Sequence, residues 1–190
     1  MSAFWESLFL IAVAEMGDKS QLVALAFATR FKALVVLAGI FAATLLVHLG
    51  SVVLGRLVGV FLPQQVIAVA AGIAFIGFGV WTLRGDTLKE GTETKASHWG
   101  PFLFVGATFF VAELGDKTML ATVTLATKGA SLTSLAGVWL GSTLGMVLAD
   151  ALAIWIGVVA GKRLPERAVK LAAAAIFLAT GIYTILRALM

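Results

Sequence analysis

The stretch Val13-Ala14-Glu15-Met16-Gly17-Asp18-Lys19-Ser20 recurs 98 positions later as Val111-Ala112-Glu113-Leu114-Gly115-Asp116-Lys117-Thr118. Each copy sets a Glu, an Asp and a Lys in the middle of a long apolar run. The register holds outward from there: Leu22, Ala28 and Thr29 fall on Leu120, Ala126 and Thr127, and Gly39 falls on Gly137. After a slip of four residues, Phe75 and Gly79-Val80-Trp81-Thr82 fall on Phe177 and Gly181-Ile182-Tyr183-Thr184. The chain is an internal duplication. Residues 1–83 and 100–190 are the two copies, and a polar linker over 84–99 joins them, carrying Asp86, Lys89, Glu90, Glu93 and Lys95.

Composition says what surrounds those copies. Of 190 residues, 61% are hydrophobic and 13% charged, against about 25% charged in an ordinary soluble domain. Mean hydropathy is +1.04. One soluble domain of this size cannot bury so much apolar side chain. That excludes a soluble enzyme and a disordered chain, and the absence of Cys excludes a disulfide scaffold. The pI near 9.7 does not point to nucleic acid, because the basic residues sit singly at the ends of apolar stretches. The chain belongs in a lipid bilayer.

Crossing the hydrocarbon core takes about 20 residues of helix. Six stretches qualify: Phe4–Thr29, Ala33–Leu62, Val66–Leu83, Gly100–Thr127, Leu132–Gly161 and Ala168–Leu186. No two-residue alternation persists, which argues against a β-barrel. Ala12-Val13-Ala14 resembles a signal-peptidase site, but Glu6 precedes it with no Lys or Arg, and the segment recurs mid-chain, so the first helix is read as retained. The expected fold is all-α and polytopic, with six transmembrane helices. Three helices per copy is an odd number, so the second copy enters the membrane from the opposite side. Such inverted three-helix repeats typify secondary transporters, which bind near the midplane where the repeats meet. Loops after the first, third and fifth spans hold nine Lys and Arg, whereas the opposite side holds Arg56, Lys128 and Arg187. The excess places the linker in the cytoplasm and both termini outside.

Ionisable groups at the centre of a membrane helix each cost roughly 2.5–3.5 kcal/mol on insertion scales, so six of them call for a function. Glu15 and Asp18 are three apart, and Glu15 and Lys19 four apart, so a continuous helix would crowd them on one face. Gly17 and Gly115 permit a kink or break there. Two Glu and two Asp against two Lys leave a charge of −2, which one divalent cation or two protons would cancel. That is the logic of an antiporter. The lysines have a plainer reading, internal ion pairs Glu15–Lys19 and Glu113–Lys117, which leaves Asp18 and Asp116 unexplained. Carboxylate, hydroxyl and amide oxygens favour Mg, Ca or Mn over Zn or Cu. Ser20, Gln21 and Thr118 offer such oxygens. His48 and His98 lie far apart. Met119 stands where the first copy has Gln21; its thioether either packs or, reaching the ion, suits Mn better than Ca. His48 and Asp150 lie within the second and fifth spans, as proton relays, partners of the acidic site or hydrogen-bonded structural groups. Glycines at 137, 141 and 145, and at 55 and 59, mark close helix packing.

The paired Glu-Met-Gly-Asp-Lys-Ser and Glu-Leu-Gly-Asp-Lys-Thr closely resemble the doubled E-x-G-D-[KR]-[TS] signature of the UPF0016 (Gdt1) family of cation transporters, and the likeness spans essentially the whole chain. The resemblance implies a transporter exporting Mn²⁺, with Ca²⁺ handled by eukaryotic members, in exchange for protons. By position it makes Glu15, Asp18, Glu113 and Asp116 the ion ligands, with Ser20, Gln21, Thr118 and Met119 nearby. Met119 is a departure, since members often carry Gln there. The short form resembles a bacterial inner-membrane member. Expected partners are the divalent ion, protons and the bilayer, with a homo-oligomer open, no nucleic acid and no resident cofactor. The rivals are a Ca²⁺/H⁺ antiporter, a small-solute exporter of the lysine-exporter type, a passive channel and an intramembrane aspartyl protease. The protease is disfavoured because its G-x-G-D pattern needs Gly where Glu15 and Glu113 stand.

Overall fold

The computed structural model describes residues 2–61, 63–84, 100–159 and 166–190. Residues 85–99, with Trp99, His98 and nearly all of the expected linker, lie outside the described residues, as do the side chains of Lys19 and Trp81. Eight helices and no strand occur among the described residues: α1 (Ser2–Glu15), α2 (Lys19–Ala28), α3 (Ala33–Phe61), α4 (Gln64–Arg84), α5 (Gly100–Glu113), α6 (Lys117–Thr127), α7 (Leu132–Val159) and α8 (Glu166–Leu189). The eight arise from six apolar stretches because the first and fourth are each broken in two at the motif.

The breaks have a local cause. Gly17 and Gly115 take φ values of +75° and +82°, the left-handed conformation that commonly ends a helix and that side chains with a Cβ avoid. Asp18 and Asp116 then turn back through bonds from their backbone N–H to the carbonyls of Glu15 (3.1 Å) and Glu113 (3.3 Å). Each broken stretch resumes one residue later, at Lys19 and Lys117.

Packing follows the duplication. The broken helix of each copy lies on the long helix of the other: α1 and α2 on α7, α5 and α6 on α3. The last helices of the copies, α4 and α8, pair with each other. Glycines set the approach. A Cβ on Gly141 would fall 2.3 Å from the Phe4 carbonyl oxygen, and one on Gly145 would fall 2.5 Å from that of Leu8. In the other copy, a Cβ on Gly55 would fall 2.4 Å from the Val123 oxygen. Backbone thus meets backbone at the small-residue faces, as in membrane helix pairs. At the centre α1 neighbours α6, and α2 neighbours α5. Leu10 and Ile11 share a cluster with Ala121 and Leu125, while Ala24 and Phe27 share another with Val105 and Phe109. The two broken helices therefore run antiparallel past each other.

Polarity is reversed from that of a soluble protein. Leu34, Phe61, Val111, Leu132, Trp155 and Leu171 are among the many large apolar side chains on the outside, while Glu15, Asp18, Ser51, Glu113, Thr122 and Thr143 are buried. Two helices among the described residues, Ala33–Phe61 and Leu132–Gly157, are long and apolar enough by themselves to cross a membrane. The remaining apolar helical stretches are shorter: Ala68–Val80, Gly100–Glu113 and Ala174–Leu189.

Candidate cation site

Where the antiparallel helices break, the two motifs face each other. Lys117 of the second copy reaches across to Asp18 of the first, with Nζ 2.8 Å from Oδ2 and both groups buried. This corrects the expectation that Lys117 pairs with Glu113 in its own motif. The i, i+4 spacing brings side chains together only on a continuous helix, and the turn at Gly115 removes that continuity. Lys19, its counterpart, has its side chain outside the described residues.

The two motif glutamates, one in each copy, are held alike. Ser20 Oγ donates to Glu15 Oε1, and Thr118 Oγ1 donates to Glu113 Oε2 at 3.0 Å. The hydroxyl comes from the first turn after the break, and its carboxylate from the last turn before it. Glu15 in turn interacts electrostatically with Glu113, Asp18, Asp150 and Lys117. Glu113 does so with Asp116, Asp150 and Asp18, and Lys117 with Asp18, Glu15 and Asp116. The carboxylates of the two halves share one electrostatic centre.

Gln21 and Met119 are occupied by the break itself. The Gly17 N–H donates to Gln21 Oε1 at 2.7 Å, and the Gly115 N–H donates to Met119 Sδ at 3.1 Å. A backbone donor freed by the interrupted helix thereby finds an acceptor. Sulfur is the weaker acceptor, so the second break is held less firmly than the first. Gln21 also donates from Nε2 to the Ala149 carbonyl of α7, at 2.9 Å.

Of the eight residues singled out from the sequence, the four carboxylates and the two hydroxyls are buried around this centre, as is Gln21, while Met119 is half-buried. Among the described residues no three His, Asp or Glu side chains stand arranged to hold a metal ion together. In this arrangement an ammonium lies where the acidic groups demand positive charge. His48 is a hydrogen-bonded residue, its Nδ1 lying 3.3 Å from Thr143 Oγ1. The cross-copy Lys117–Asp18 pair, which has no local signal, is absent from the sequence reading. Asp150 is marked there by a weaker signal, a lone carboxylate in an apolar span, which leaves partnership with the acidic site as one of three roles.

Buried ionisable groups gathered at two helix breaks, in a helical body whose exterior is apolar, define a membrane protein that handles ions. The chain belongs to the GDT1 family, described as divalent cation/proton antiporters, whose model matches residues 3–90 and 101–190. That is a transporter family rather than an enzyme family. A Vibrio cholerae protein named "Putative manganese exporter" is 35% identical over 97% of this chain and 90% of its own length. A GDT1-like protein of Synechocystis is 29% identical over 93% of each chain. The chloroplastic PAM71 protein of Arabidopsis thaliana is 30% identical over 97% of this chain and 56% of its own. No solved structure matches the chain.

Proposed function

We propose that this protein exports Mn²⁺ from the cytoplasm in exchange for protons, by alternating access around the paired motifs. The observation that carries the reading is the buried contact between the halves, Lys117 to Asp18 at 2.8 Å, made at two opposed helix breaks. A centre shared by two moving halves can be opened to either side in turn. The name borne by the Vibrio cholerae relative supports manganese as the cargo, and an all-oxygen set of carboxylates and hydroxyls suits a hard divalent ion.

In this reading Glu15, Asp18, Glu113 and Asp116 ligate the ion, with Ser20 and Thr118 steering the glutamates. Gln21 and Met119 line the site and cap the breaks. The cation takes over from the Lys117 ammonium as the counter-charge of Asp18, and protons take its place on the carboxylates for the return. Charge neutrality in both loaded forms lets the halves rock without carrying net charge through a low-dielectric layer. Six crossings fit the helix lengths. At 1.5 Å per residue, α4 with 21 residues and α8 with 24 run about 31 and 36 Å, enough for the roughly 30 Å hydrocarbon core. The members of each broken pair cross only in tandem. The antiparallel passage of α1–α2 beside α5–α6 supports inverted repeats, and the basic-residue asymmetry supports a cytoplasmic linker in a bacterial inner membrane.

The decisive experiment is flux in proteoliposomes under an imposed proton gradient. Expected are Mn²⁺ uptake into vesicles that are acidic inside, alkalinisation of their lumen as protons leave, and loss of uptake with a protonophore. Ca²⁺ uptake in preference to Mn²⁺ would reassign the cargo. Mn²⁺ flux without any pH change would point to a channel.

A further inference from the structure

Asp150 sits on α7, outside both motifs, and is 0% exposed. Neither of its carboxylate oxygens has a hydrogen-bond partner among the described residues. Buried carboxylates are normally hydrogen-bonded, paired or bound to metal. Ser20 is bonded to Glu15, Thr118 to Glu113, Thr122 to the Thr118 carbonyl and Lys117 to Asp18. Glu15 Oε2 and, on the same helix as Asp150, Ser142 Oγ are also buried without a hydrogen-bond partner among the described residues. Asp150 is the one of these side chains in which both oxygens are left so. Its position is fixed by the neighbouring backbone, since the Ala149 carbonyl takes the Gln21 Nε2 bond that ties α7 to the first motif. The charge of Asp150 acts on both Glu15 and Glu113, and that of Asp18 acts on Asp150. The equivalent position of the first copy is Val52. Asp150 is therefore an acidic group added to one side of an otherwise duplicated centre.

We infer that Asp150 is a further carboxylate ligand for the divalent cation, supplied by α7 alone. The inference rests on the cation-transport reading above. Its chemistry is that of an unpartnered hard oxygen donor. Calcium takes six to eight oxygens and Mn²⁺ also accepts carboxylate oxygen, so a fifth acid enlarges the set without new architecture, and one proton retained among the five acids keeps the loaded centre neutral against Lys19 and Lys117. It also gives the cage a preferred side: the ion is held more firmly to α7 than to its counterpart α3, where Val52 offers nothing.

The test uses the full chain purified in detergent, with Mn²⁺ as the titrant in calorimetry and the melting temperature of the metal-free protein alongside. Asp150→Asn is expected to weaken Mn²⁺ binding at least tenfold while leaving the metal-free melting temperature unchanged or raised, because no partner is lost. A change in affinity below threefold overturns the inference, and a lowered melting temperature with unaltered affinity assigns Asp150 a structural part instead. Should the variant fail to fold, the wild-type chain still decides. A hydrophobic carbodiimide followed by peptide mass spectrometry is expected to modify Asp150 in the metal-free protein and to be blocked by Mn²⁺; modification indifferent to Mn²⁺ overturns the inference. If wild-type protein binds no Mn²⁺ at all, the manganese reading falls and this inference with it. Normal wild-type binding that is retained in Asp150→Asn sinks only the latter.

Discussion

Lys117 joins the two halves through a buried ion pair, and its replacement separates structure from transport. Removing one partner of a buried pair costs about 3–5 kcal/mol, because the other charge stays in a low-dielectric place. Lys117→Met is therefore expected to lower the melting temperature in detergent by roughly 6 °C or more, at about 2–4 °C per kcal/mol for a chain of this size. Combining it with Asp18→Asn removes both charges and recovers most of the loss without recovering Mn²⁺ transport. A single variant that melts with the wild type would mean that the pair contributes nothing to holding the copies together. The glutamates make the complementary case. Each is steered by one hydroxyl, so Glu15→Gln keeps the shape and a hydrogen bond but loses the charge, and Asp116→Asn removes the charge of the buried aspartate that follows the break in the other copy. Both are expected to abolish manganese tolerance in cells with membrane protein levels intact on an immunoblot; tolerance preserved in Asp116→Asn would exclude that aspartate as an obligatory ligand. These acids were legible in the sequence because nothing else explains charge repeated in an apolar span. Their partners were not, because a break turns sequence neighbours away from each other and only the folded chain shows what each meets.

At the level of the helix, two kinds of glycine do different work. Gly115 takes a left-handed backbone with open space where a Cβ would go, so Gly115→Ala acts through conformation alone, at about 1–2 kcal/mol. Gly141 has the opposite problem: an added Cβ falls 2.3 Å from the Phe4 carbonyl, and the α1–α7 contact must open. Overpacking of that sort costs about 1–3 kcal/mol. Gly77 meets nothing within 4 Å and serves as the control, where Ala stabilises by about 0.5–1 kcal/mol through better helix propensity. Thermal denaturation of the three variants should rank Gly77→Ala above wild type and Gly141→Ala below it. If Gly141→Ala melts no lower than Gly77→Ala, the close approach of α1 and α7 is wrong. The six apolar stretches, their ends and the glycine faces could be read from hydropathy and spacing, since helix length and small-residue stripes are local properties. That two of the stretches would become four helices was only half legible. Gly17 and Gly115 permitted a break, but the acceptors that secure it, Gln21 and Met119, are recognisable only once the turn exists.

For the molecule as a whole, the decisive question is whether the copies cross the bilayer in opposite senses. The packing has the exchange symmetry this requires: the broken helix of each copy rests on the long helix of the other, and α4 pairs with its own equivalent α8. On the proposed six crossings, the charge pattern gives an expected direction, with nine basic residues on one side against three on the other. A pair of equivalent positions converts this into one measurement. Ala33 and Ser131 are 98 residues apart, begin or precede equivalent long helices, and are both exposed. The chain has no Cys, so single substitutions at either position report without background. A membrane-impermeant maleimide is expected to label Ser131→Cys in intact spheroplasts, and Ala33→Cys only after the membrane is opened. Labelling of both from the same side would make the repeats parallel. With no opposed gates, the meeting of Lys117 and Asp18 would then be a strut between halves rather than the floor of an alternating site.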